Sequence, residues 1–108
     1  MYLRIKNKKY DVKELKSFKD RFKSLKFNLS TLDHVLYFPK KKLLDTYFFC
    51  QRVDAIFTDN DNKILYIHSN IKSEKRIIHF KAKNIYIMPL KTCSNYKIGE
   101  ILKIKKED

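Results

Sequence analysis

Apolar and polar positions in this chain alternate in short runs, separated by breaks rich in lysine and asparagine. Alternation over four to eight residues argues for half-buried strands, whereas apolar residues every three to four positions argue for an amphipathic helix. Met1–Ile5 alternates weakly and reads as a short strand. His34–Phe38 is a short apolar run stopped by Pro39. Leu43–Phe49, Val53–Thr58, Lys63–His68, Arg76–Phe80 and Asn84–Leu90 read as further strands, and Gly99 bends the chain into a last one over Ile101–Lys105. Asn60-Asp61-Asn62 reads as a hairpin turn, because Asn and Asp tolerate the left-handed backbone that such turns require. Ser69–Lys75 reads as a polar loop, and Thr92 is placed to cap a single helical turn through Tyr96.

The helical period occurs once. Leu15, Phe18, Phe22 and Leu25 form one apolar stripe, and Asp11-Val12-Lys13-Glu14 has the spacing of a capping box. Together they predict a helix over Asp11–Phe27. Lys13, Lys16, Lys19, Lys23 and Lys26 fall to one side of the stripe, as a solvated face or a phosphate track. One helix with seven or eight short strands predicts a mainly β (α+β) fold, a small barrel-like or sandwich domain. At 108 residues the chain is a single domain, with room for one core and not for two domains around a cleft.

Charge alters the picture more than size does. The formal net charge is +13, which suits an anionic partner, a membrane surface or a self-repelling solvated shell. Arg4, Arg21, Arg52 and Arg76 are the only arginines, so nearly all of the positive charge is lysine. Lysine is a point charge and lacks the bidentate fork that reads base edges, so nucleic-acid binding through it would follow phosphates and ignore sequence. The chain is also rich in Lys, Ile, Asn, Tyr and Phe and poor in Gly and Pro, as an AT-rich genome would write it. The candidate anion-binding residues are Lys13, Lys16, Lys23, Lys40, Lys41 and Lys42. Tyr and Phe interleave with Lys over much of the chain; such aromatics form either the core or a base-stacking platform. No apolar run approaches the roughly 18 residues of a membrane span, and lysines follow Met1–Ile5 where a secretory signal would be apolar, so a cytoplasmic protein is expected.

Catalytic signals are sparse. Arg52 and Asp54 lie two apart on an expected strand and share a face with Ile56 and Thr58. A carboxylate in such a run needs a partner, so Asp54 either pairs with Arg52, accepts backbone N–H bonds from a loop, or lines a ligand pocket. Asp59 and Asp61 echo the start of a calcium loop, but Lys63 stands at the next ligand position and the closing Glu is missing, which favours plain turn chemistry. His34, His68 and His79 show no ligand spacing, so no metal site is expected. Cys50 and Cys93 have no C-x-x-C spacing and read as buried free thiols; a nucleophile pair of Cys50 with His68 or His79 has nothing to orient it. With Gly99 the only glycine there is no phosphate loop, and no cofactor is expected.

One stretch carries a resemblance. Thr46-Tyr47-Phe48-Phe49-Cys50-Gln51-Arg52-Val53-Asp54-Ala55-Ile56-Phe57-Thr58-Asp59, with Asn60-Asp61-Asn62 after it, is similar to the signature H-T-F-x-M-R-F-P-I-D-V-V-F-L-D-x-D-G of the uncharacterised prokaryotic domain-of-unknown-function family 192. Thr46, Asp54, Phe57, Asp59 and Asp61 fall on matching letters. Arg21-Phe22-Lys23-Ser24-Leu25 resembles its R-x-x-G-L, Pro89-Leu90-Lys91-Thr92 its P-A-G-T, and Gly99-Glu100 its late G-D, so the likeness runs over roughly residues 15–105. Asp45 stands where the signature has histidine, Arg52 where it has proline, Asn62 where it has glycine and Ser24 where it has the early glycine. The resemblance implies a compact, mainly β fold with an N-terminal helix and no known reaction. Thr46, Arg52 and Asp54 are the structural or ligand-pocket candidates. Three readings follow: a non-enzymatic binding module for an anionic partner, most of all nucleic acid; a pocket protein for a sugar or metabolite around Asp54; and an enzyme of unassigned reaction class.

Overall fold

A computed structural model describes residues 1–14, 34–45, 52–72 and 75–105. Among the described residues, eight strands form two sheets. The larger joins β1 (Tyr2–Ile5), β2 (Lys8–Glu14), β3 (Val35–Pro39), β8 (Asn84–Met88), β5 (Val53–Thr58) and β6 (Ile64–Ile71), in the order β1-β2-β3-β8-β5-β6. The smaller pairs β4 (Leu43–Asp45) with β7 (Arg76–Ile78). A single 3-10 turn, η1, covers Cys93–Asn95.

β5 and β8 are the spine. Every residue of both strands is buried, so each alternates between two cores and not between core and water. Val53, Ala55 and Phe57 join Leu36, Phe38, Ile85 and Ile87 on one face, where Leu44 and Ile77 of the small sheet cover them. Ile56, Tyr86 and Met88 face the other way, into a core closed by Leu3, Ile5, Val12, Cys93 and Leu102. Each large apolar side chain buried in this way contributes about 1.5–3 kcal/mol.

The mainly β expectation holds, and the barrel does not. The C-terminal segment reaches from one sheet edge toward the other, bridging Lys63 at Ile101 and Tyr2 at Lys105. These contacts are isolated bridges, in place of the expected last strand, and the sheet stays open. The helix expectation also fails at its start. Asp11–Glu14 is the second half of β2, where Asp11 pairs with Tyr2 and Val12 with Val35. A capping-box signal is only four residues long, and here ladder hydrogen bonds on both sides of the strand outweigh it. The rest of that expected helix, residues 15–27, lies outside the described residues.

Scarce glycine shapes the turns. Lys6 and Asn7, with φ of 46° and 66°, close the β1–β2 hairpin, the pair of positive φ values that a two-residue primed turn needs. Asn62, Asn70, Lys40 and Lys91 also adopt positive φ. β6 runs on through Ser69–Ile71, shortening the expected polar loop.

Candidate functional site

Asp54 is fully buried near the start of β5. Its two oxygens are held by separate elements: the Asn70 backbone N–H of β6 donates to Oδ1 at 2.9 Å, and the Cys93 backbone N–H of η1 donates to Oδ2 at 3.1 Å. Arg52 is exposed at the strand's entrance, so the expectation of an Arg52–Asp54 pair gives way to the loop-pinning one: a buried carboxylate draws on the backbone donors that folding brings to it. Thr46 and Cys50 lie outside the described residues. Beside Asp54 opens a groove of about 490 Å³ whose walls include Ser69, Asn70, Lys91, Cys93 and Ser94. The Cys93 thiol is a buried free thiol whose pKa is pushed up to about 12, first by burial and then by the adjacent Asp54 carboxylate.

The other end of β5 is basic. Lys40, Lys41 and Lys42 follow β3; two backbone bonds tie them to the β7–β8 connection and a third ties that connection to the end of β5. Lys41 N–H donates to Lys83 O at 2.9 Å, Lys83 N–H to Thr58 O at 2.8 Å, and His79 N–H to Lys42 O at 3.1 Å. Buried Asn84 anchors the corner. Its Oδ1 accepts from Lys40 N–H and the Tyr37 hydroxyl, each at 3.3 Å, and its Nδ2 donates to Asp59 O at 3.1 Å. Lys40, Lys42, Lys81 and Lys83 are exposed, while Lys41 is half-buried with its ammonium 5.7 Å from the centre of the Phe38 ring. Phe80, between the two lysine segments, is 76% exposed, the most exposed large apolar side chain among the described residues. Sequence alternation placed Phe80 at the end of a strand. It lies instead in the turn after β7, where no neighbour covers it.

The remaining candidates scatter. Lys13 is exposed on β2, with two strands between it and the end of β5; Lys16 and Lys23 lie outside the described residues. Asp59 is turn chemistry as expected: its Oδ1 accepts N–H bonds from Asp61 and Lys63, both at 2.9 Å. Asp61 is exposed at the tip. His34 is half-buried just before β3.

Sequence spacing missed one constellation. His68 on β6 and His79 after β7 meet with their Nε2 atoms 2.8 Å apart. The Tyr66 ring stacks on His79 at 3.6 Å between centroids, and Phe57 sets its ring at steep angles to both imidazoles. Burial lowers the pKa of both, and the neighbouring His79 lowers that of His68 further. Eleven residues and two sheets separate the pair along the chain, so no local ligand spacing could announce it. Tyr66 and His68 on the same strand face were the only trace.

No protein-family model matches the chain, and no curated protein does. Two solved structures share the fold. One is a protein of unknown function from Novosphingobium aromaticivorans DSM 12444, with a TM-score of 0.74 at 13% identity, the match covering 89% of this chain and 76% of that one. The other is a putative transcription regulator from Sinorhizobium meliloti 1021, with a TM-score of 0.76 at 16% identity, covering 89% and 82%. At such identities the likeness concerns the fold alone. Among the described residues no helix is long and apolar enough to cross a membrane.

Proposed function

We propose that the chain is a non-enzymatic binding module for nucleic acid, which it holds through phosphate contacts at the end of β5. The observation that carries this reading is the exposed Phe80 in the same turn as exposed Lys81 and Lys83, a turn that backbone bonds tie to the Lys40–Lys42 segment. Lysines neutralise phosphates without reading sequence, and an uncovered aromatic beside a basic track offers a platform on which an unpaired base can stack. A single-stranded partner is therefore favoured. The likeness to a putative transcription regulator is compatible with this reading. We also read the chain as a divergent relative of the uncharacterised family 192, at work in the cytoplasm.

Fluorescence anisotropy with a labelled single-stranded oligonucleotide, followed across a salt series, tests the proposal. The log–log slope should gain about 0.7 for each phosphate neutralised. Absence of binding at low salt would end it.

The groove beside Asp54 favours a second reading, a small-ligand pocket. Lys91, Ser69 and Ser94 would supply its polar contacts, since Asp54 is already engaged by two backbone donors. Amide chemical shifts of Asn70 and Cys93 that stay fixed through a sugar and metabolite screen would count against it. An enzyme reading has least support, because the carboxylate it would use has no exposed surface.

A further inference from the structure

Neither imidazole lines the Asp54 groove, and His79 directly precedes Phe80 of the basic corner. From the convergence of the two ring nitrogens, we infer that His68 and His79 form a two-histidine binding site for an imidazole-seeking divalent transition metal, Cu²⁺ or Ni²⁺ above all. Without a cation the 2.8 Å approach is an N–H···N hydrogen bond, one ring donating and the other accepting. The same approach suits shared ligation. Two imidazole nitrogens bound at roughly 2.0–2.1 Å to one ion stand about 2.9 Å apart at a right angle, and about 3.4 Å apart at a tetrahedral one. The observed separation lies close to the right-angle case, the geometry of square-planar and tetragonal Cu²⁺ and Ni²⁺ sites. To bind, each ring carries its proton on Nδ1 and presents a bare Nε2, so the donor ring changes tautomer: the proton between the rings passes, by exchange with water, to that ring's Nδ1 as the metal enters.

The rings are set before any ion arrives. Tyr66 lies flat on His79. Phe57, fully buried on β5, braces both rings with its own at interplanar angles of 73° and 85°. Packing of this kind limits the rotamer freedom that metal binding would otherwise have to remove. Both histidines keep part of their surface in solvent, so an ion has a way in and its remaining positions open to water or an anion. No group of three or more His, Cys, Asp or Glu converges among the described residues, so the described residues supply two ligands here, those of an open, exchangeable site.

The test uses the full chain and the metals alone. Titration with CuCl₂ should give a one-to-one complex with a visible d–d band and an electron paramagnetic resonance spectrum split by two nitrogen ligands. In nuclear magnetic resonance spectra of the unaltered protein, substoichiometric Cu²⁺ should broaden the His68 and His79 ring signals first and leave His34 sharp. This readout needs no variant to fold. His68→Gln and His79→Gln should each weaken binding by at least about tenfold, since even loss of a group that only orients a ligand costs that much; His34→Gln should change nothing. Broadening centred elsewhere, or unchanged affinity in the double variant His68→Gln/His79→Gln, would overturn the assignment. So would the absence of any one-to-one complex, which would leave the pair a proton-sharing contact only.

Discussion

At the start of β5, Asp54 is sealed from water with both oxygens held by backbone N–H groups. At the end of the same strand, Lys40, Lys42, Lys81 and Lys83 stand in solvent, as does Phe80 in the turn that carries Lys81. Both ends hold charge that an apolar strand has to accommodate, and they do so in opposite ways. At the first end a single negative charge is desolvated and joins the β6 end to the η1 turn, so its effect falls on stability. At the second end several positive charges remain hydrated, are positioned by Asn84 and three backbone bonds, and face outward. The conspicuous acidic residue in the chain's most site-like stretch therefore belongs to the architecture, while the surface suited to recognition is built from residues far apart in sequence.

Substitution should separate the two ends cleanly. Asp54→Ala leaves two backbone donors without their acceptor and should lower stability by about 3–6 kcal/mol, at 1.5–3 kcal/mol for each hydrogen bond to a charged acceptor. Urea denaturation measures it; a loss under about 1 kcal/mol would mean that the carboxylate joins nothing. Phe80→Ala should leave the urea midpoint in place and weaken single-stranded oligonucleotide binding by about 1–3 kcal/mol, the worth of one stacked base. If duplex and single strand lose affinity equally, Phe80 is not a stacking platform. Lys91→Gly relieves a left-handed backbone at φ 72° and should raise stability by about 1 kcal/mol, seen as a higher melting temperature with oligonucleotide affinity intact.

A pH dependence sharpens the buried end further. The Cys93 thiol has its folded pKa raised from 9.0 to about 12, so folding favours the neutral thiol. Its contribution is whole below pH 9 and is lost as pH rises from there towards 12. Thiol-reactive reagents should modify native Cys93 slowly at pH 8 and at the free-thiol rate once urea unfolds the chain. Rapid modification of the native protein would show the Asp54 end to be open.

How much of this was readable in advance depended on range. Val53–Thr58 matched its strand to the residue and the Asp59 turn matched its chemistry, because strong β-branched runs and Asn-Asp turn residues act locally. Asp11–Glu14 misled, since its capping signal spans four residues and β2 is decided by partners on β1 and β3. The second histidine in the His68–His79 pair, the Phe80 platform and the donors to Asp54 all depend on segments brought together across strands, and no spacing along the chain encodes them. The lysine run 40–42 was legible as charge, but its company with Lys81 and Lys83 was not.

The central claim is that the end of β5 is a phosphate-binding surface. The most direct measurement is the salt dependence of single-stranded oligonucleotide affinity in the variant Lys40→Ala/Lys42→Ala/Lys81→Ala/Lys83→Ala against the unaltered chain. The account predicts a log–log slope shallower by about 3, roughly 0.7 for each lysine removed, with the urea midpoint unchanged. An identical slope in the two proteins would contradict it and assign any binding to charge spread over the whole surface.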